Sequence, residues 1–93
     1  MRFRKKPVEV DAWGIRWLMV RVEAGIIPDS VSDGIHGGVL RFAPEGLYIK
    51  TLEGGMFGRP EDVLIMGVHG EFYPIKSDIF AETYERVKGD ITR

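Results

Sequence analysis

The sequence contains no cysteine, which excludes disulfide staples and thiolate-held zinc. It also lacks an excess of charge. Lys and Arg number 13, Asp and Glu 14, and the net charge is −1. That balance removes the basic footprint typical of nucleic-acid binders, so nucleic acid is not an expected partner. It leaves little repulsion to oppose self-association. No long apolar run is present. The longest, 15–27, is broken by Arg16, Arg21 and Glu23, too short and too charged to span a membrane. The basic opening Arg2, Arg4, Lys5 and Lys6 runs into Pro7-Val8-Glu9-Val10-Asp11 and not into the apolar stretch of a signal peptide. A cytoplasmic protein without a membrane partner is therefore expected.

Apolar residues make up 44% and charged residues 29% of 93 positions, a globular balance that fits one domain over 1–93. A chain of this size buries roughly 65% of its unfolded surface. Its core is thin, and small domains without staples often gain stability as oligomers. A homo-oligomer is a reasonable expectation.

Val8, Val10 and Ala12 alternate with Glu9, Asp11 and Trp13, which predicts a strand over 2–13. Ile15, Leu18, Met19 and Val22 recur at helical spacing and predict a helix over 15–24, ended by Gly25. Trp17, Val20 and Ala24 form a second apolar line on the opposite side. Either it packs under the following segment or it meets a partner. Turn-forming Pro28-Asp29-Ser30, Asp33-Gly34 and Gly37-Gly38 mark 26–38 as a loop.

From residue 39 the pattern is one of hairpins. Strands are predicted at 39–43, 47–52, 63–66 and 71–76, with turns at Pro44-Glu45-Gly46, Glu53-Gly54-Gly55 and 67–70. Ser77 or Asp78 is placed to cap a short C-terminal helix anchored by Phe80, Tyr84 and Val87. Residues 88–93 form a polar tail prone to fraying. The fold class is α+β, with a twisted antiparallel sheet of about five strands, curling toward a barrel, and the 15–24 helix packed on it. The expected sheet core is Val8, Val10, Leu40, Phe42, Leu47, Ile49, Val63, Ile65, Phe72 and Ile75. The helices should add Leu18, Met19, Val22 and Phe80.

Chemistry-bearing patterns are sparse. His36 and His69 lie in different glycine-flanked turns, too few to supply the three or four ligands of a metal site. Glu53-Gly54-Gly55-Met56-Phe57-Gly58 lacks the Gly-Lys-Ser/Thr ending of a phosphate loop. No nucleophile, metal or cofactor signature points to an enzyme. The densest polar segment is 68–78. There His69, Glu71, Tyr73, Lys76 and Asp78 could form a site for a small anionic ligand, with Tyr73 stacking on a ring. The plainer reading is a structural corner.

Several segments resemble a widespread group of small bacteriophage and prophage proteins. They are Arg4-Lys5-Lys6-Pro7-Val8, Thr51-Leu52-Glu53-Gly54, Arg59-Pro60-Glu61-Asp62-Val63-Leu64-Ile65, and the stretch from Gly70-Glu71-Phe72-Tyr73-Pro74 through Asp78-Ile79-Phe80 to Thr83-Tyr84-Glu85. The group's pattern is an RKKPV opening, a TLEG turn, a PGDW-I segment and a G-GE-YP-K-DIF--TYE ending. It is similar in part to PGDYG-type domains. Glu61 replaces its usual Gly and Val63 its usual Trp, and residues 14–46 carry no shared motif. The resemblance implies a phage-encoded accessory protein of the host cytoplasm and implies no reaction. The reading is a non-catalytic binding module that contacts a host protein or itself, through Trp17, Val20 and Ala24. Alternatives are a nucleotide-sequestering anti-defence protein and a virion accessory protein.

Overall fold

The helix signal at Ile15 and the two-residue alternation after residue 39 both translate into structure, but they are joined differently from the expectation. The computed structural model describes residues 1–4 and 7–87. Lys5 and Lys6 of the expected first strand, and the polar tail 88–93, lie outside the described residues. The elements are β1 (Asp11–Gly14), α1 (Ile15–Ala24), α2 (Asp29–His36), β2 (Leu40–Ala43), β3 (Gly46–Thr51), β4 (Gly54–Gly58), β5 (Val63–Met66), β6 (Phe72–Ile75) and α3 (Ser77–Thr83). The α+β class holds, and so do the 15–24 helix and the short C-terminal helix. The single five-stranded or barrel-like sheet does not. There are two three-stranded antiparallel sheets, in the orders β1-β5-β6 and β2-β3-β4.

The reason lies at the neighbouring edges of β4 and β6. Gly67 N–H donates to the Glu71 carbonyl at 2.8 Å, and the register pairs Ile65 with Tyr73 and Leu64 with Pro74. Antiparallel pairing alternates, so the backbone N of residue 74 points away from β5. Proline has no N–H to offer there. The β6 edge nearest β4 thus lacks a donor, and the ladder does not continue across it.

One face of each sheet turns inward. Leu40, Leu47 and Ile49 from one sheet meet Leu64 and Phe72 from the other, together with Ile15, Leu18 and Val31 from the helices. Trp13, Trp17, Met19 and Phe42 pack at the margin of this core. Ile65 is also fully buried but on the opposite face of its sheet, beside Tyr73. Of the expected core, Val10, Phe42, Val63, Ile75, Met19, Val22 and Phe80 are only half-buried, and Val8 is exposed.

The strand expected over 2–13 shrinks to Asp11–Gly14. Its partner β5 ends at Met66, opposite Asp11, and Gly67 already begins a turn. Residues before Asp11 therefore have no strand to pair with. The expected 26–38 loop contains α2, whose Val31 and Gly34 are buried. A Cβ on Gly34 would stand 2.8 Å from Leu40 Cδ1 and 3.1 Å from Phe72 Cε2. The glycine that reads as a turn is what seats the helix. β4, whose first two residues read from the sequence as part of the 53–55 turn, pairs along its whole length with β3.

α1 begins without a side-chain cap. Its first donors are taken by the 59–62 turn: Ile15 N–H donates to the Asp62 carbonyl and Arg16 N–H to that of Pro60, both at 3.0 Å. Asp62 closes that turn by accepting the Arg59 N–H on Oδ2 at 2.9 Å. The far end matches the expectation. Gly25 is left-handed at φ 74°, with Gly25 N–H donating to Val22 and Ile26 N–H to Arg21, a Schellman pair.

Replacing Gly34 with Val should cost about 1–3 kcal/mol by overpacking against Leu40 and Phe72, read as a lower urea midpoint at unchanged slope. An unchanged midpoint would contradict the placement of α2.

Candidate functional site

The residues expected to form a ligand corner are strung along β6 and its two flanks. His69 and Glu71 belong to the β5–β6 turn, and Lys76 and Asp78 to the start of α3. Four extended residues separate the two pairs, so Glu71 and Lys76 stand about 17 Å apart. Glu71 has a local task. Its Oε1 accepts the His69 N–H at 3.0 Å, and a Cβ on Gly67 would stand only 2.6 Å from its carboxyl carbon. Gly70 is left-handed at φ 79°, as a bulged turn requires.

Lys76 and Asp78 line an open depression of about 370 Å³ with Phe57, Arg59, Glu61, Asp62 and Ser77. Its two cations are offset by three carboxylates. The expected cap is corrected in position: Lys76 stands at the cap and its side chain makes no capping bond, while Asp78, inside the first turn, accepts the Ile79 N–H on Oδ1 at 2.9 Å.

Tyr73 faces another way. It shares the outer face of its sheet with Ile65 and meets Tyr84, whose ring stacks on Phe80 at 5.2 Å. Burial pushes the Tyr73 hydroxyl up to about 12, helped by its hydrogen bond to Tyr84 and by the nearby charges of Tyr84 and Glu71. Tyr73 thus joins the outer face of its sheet to Tyr84 at the C-terminal end of α3. Val87, the third expected anchor, is exposed.

The second line of α1 divides. Trp17 is half-buried against the core, with the Arg21 guanidinium 4.2 Å above its ring. Val20 is 66% exposed, Ile26 is 65% exposed, and Ala24 is exposed as well. The apolar pattern read from the sequence therefore faces solvent beyond Trp17.

A further cluster lies on the outer face of β2-β3-β4. Register places Arg41 opposite Tyr48 and Tyr48 opposite Phe57. The Arg41 guanidinium sits 4.3 Å over the Tyr48 ring, and the Tyr48 and Phe57 centroids are 4.9 Å apart. The Tyr48 hydroxyl donates to Glu45 Oε2 at 2.6 Å. That bond holds the Glu45 carboxyl below its ordinary range and raises the Tyr48 hydroxyl. Finding this cluster from sequence required the β3–β4 register, and β4 has no strand signal strong enough to give it.

His36 donates from Nδ1 to the Ser32 carbonyl at 2.8 Å and serves α2. Among the described residues, no group of three or more His, Asp or Glu is placed to hold a metal ion, and no helix is long and apolar enough to cross a membrane. Comparison of the chain with protein-family models, with curated proteins and with solved structures returns no match in any of the three.

The Tyr73 shift predicts alkaline lability. Its hydroxyl titrates near 10.0 when unfolded and about 12 when folded. The unfolded chain thus releases this proton first, and stability is whole below pH 10 and falls as pH rises toward 12. Denaturation midpoints across this window should fall less steeply in Tyr73→Phe than in the parent. Parallel slopes would contradict the burial assigned to Tyr73.

Proposed function

We propose that the chain is a non-catalytic binding module that acts by protein–protein contact, with a second copy of itself or with a host protein. The observation that carries this reading is the solvent-facing apolar line of α1. Val20 and Ala24 lie on the side opposite Ile15 and Leu18 and are exposed, and Ile26, just past the helix end, is exposed too. The Trp17–Arg21 pair stands at its margin. Covering a side chain such as Val20 is worth about 1.5–3 kcal/mol if it leaves water fully, so a partner over this line has a driving force. The resemblance of the opening and of residues 49–85 to small phage proteins supports a phage-encoded product working in the host cytoplasm. A virion accessory role uses the same surface and differs in where the protein ends up, which mass spectrometry of purified particles reads directly. Sequestration of a small anion or nucleotide has Arg59 and Lys76 in its favour and Glu61, Asp62 and Asp78 against it.

Size-exclusion chromatography with light scattering, run over a concentration series, tests the self-association version. Wild type should show a mass that rises with concentration, and Val20→Glu should remain monomeric. Because Val20 is exposed, the variant's own stability should change by less than about 0.5 kcal/mol. A wild-type protein that stays monomeric to its solubility limit excludes self-association. The reading then requires a defined host protein retained by wild type and lost in Val20→Glu.

A further inference from the structure

We infer that the outer edge of β1, with the residues just before it, is a strand-pairing seam for the same edge of a second copy, so that two β1-β5-β6 sheets join into one. The inference rests on the proposed self-association through α1 and adds a second, separate surface to it.

The backbone of β1 shows which of its groups face outward. Gly67 N–H donates to the Glu71 carbonyl, and Ile65 and Val63 stand opposite Tyr73 and Ile75. Antiparallel bonds alternate, so these odd residues of β5 bond β6, while Leu64 and Met66 bond β1. Their partners there are Trp13 and Asp11. The Ile15 N–H, which donates to the Asp62 carbonyl, keeps the same alternation. The N–H and C=O of Ala12 therefore point away from the sheet, and one step back along the strand gives Val10 the same direction. Among the described residues, no turn, loop or helix exchanges a backbone bond with Ala12 or with residues 7–10. Val8 is 53% exposed. Pro7 does not interrupt this edge: in a strand continued through it, an odd position puts the missing N–H on the inner side.

Charge order selects the occupant. Arg2, Arg4, Lys5 and Lys6 precede Pro7 with no acid among them, and Glu9 and Asp11 follow it with no cation before Arg16. Antiparallel pairing about an axis near Pro7 and Val8 sets the basic half of each copy beside the acidic half of the other. An axis at Glu9 or Val10 would set Glu9 against Glu9 or Asp11, and like charges directly opposite are destabilising. A two-fold axis also pairs even positions with even ones, so the outward groups of one copy meet those of the other. β2, the other outer strand, offers no such match. Its Leu40–Ala43 carries one charge, Arg41, and no acid.

A seam of a few main-chain bonds buries little apolar area and does not hold two free copies together. A dimer formed through α1 presents two such edges. Two dimers can then be joined by two seams, the second closing at raised effective concentration.

The test is size-exclusion chromatography with light scattering on the full chain over a concentration series. At low salt the wild-type mass should rise past that of a dimer, and high salt should return it to the dimer by screening the exposed charges. Glu9 and Asp11 are exposed, so Glu9→Lys with Asp11→Lys should keep the wild-type circular dichroism and stop at the dimer. The converse variant, Arg2→Glu, Arg4→Glu, Lys5→Glu and Lys6→Glu, should stop there too. An equal mixture of the two should pass the dimer again. Amide exchange at Ala12 should slow by about tenfold or more on assembly, while that of Trp13, already bonded to β5, stays unchanged. A wild-type plateau at the dimer overturns the seam and leaves the α1 contact standing. Indifference to the charge reversals, or a mixture that stays dimeric, overturns it as well. A Val20→Glu variant that dimerises with its Ala12 amide slowed overturns the α1 contact and supports the seam. A wild-type chain that is monomeric throughout overturns both.

Discussion

At Gly58 three parts of the chain meet where no side chain fits. A Cβ there would collide with Ile15 Cδ1 and stand 3.3 Å from the Pro74 Cβ. β4, α1 and β6 therefore approach each other through a residue that contributes backbone alone. Ile15 is fully buried at this junction, and its own N–H is held by Asp62. The close approach carries the inward faces of both sheets onto one helix, so that Leu47, Ile49, Leu64 and Phe72 share a core with Ile15 and Leu18. A larger residue at 58 would push the sheets apart and open that core.

The junction also explains what is left outside. Pro74 gives β6 no outward donor toward β4, so the sheets pack side by side without merging. Each keeps one face for the common core. The outer face of β1-β5-β6 holds Ile65 and Tyr73 beside Tyr84 and Phe80. The outer face of β2-β3-β4 has no such cover among the described residues, and its Tyr48 and Phe57 stay at the surface. The α1 line of Val20 and Ala24 is exposed because the helix meets the core through Ile15 and Leu18, with Trp17 and Met19 at its margin.

Much of this was legible residue by residue. Ile15, Leu18 and Val22, ended by Gly25, spell an amphipathic helix with its stop. Pro44-Glu45-Gly46 and the 67–70 turn mark hairpins at the right places. The failures share a cause, which is that local signals were outvoted by tertiary contacts. Asp29, Ser30, Asp33 and Gly34 individually favour turns, yet burial of Val31 and the close seat of Gly34 on Leu40 and Phe72 make them a helix. Gly54, Gly55 and Gly58 argue against a strand, yet β3 supplies the partner that makes one. Val8 and Val10 have the right alternation but no partner, because β5 turns back at Gly67. The expected ligand corner failed to converge for a geometric reason: residues 71 and 76 lie at opposite ends of one strand, and sequence proximity along a strand is spatial separation.

The division of β2-β3-β4 into a core face and a surface face rests on one assignment, that Tyr48 and Phe57 face out while Leu47 and Ile49 face in. A soluble paramagnetic gadolinium chelate, added during proton NMR of the isolated chain, reads that assignment directly. The Tyr48 and Phe57 ring signals should broaden strongly, while the methyl signals of Leu47, Ile49, Leu64 and Ile15 stay sharp. Sharp ring signals together with broadened Leu47 and Ile49 methyls would mean that β3 presents the opposite face, and the account of core and surface given above would fail with it.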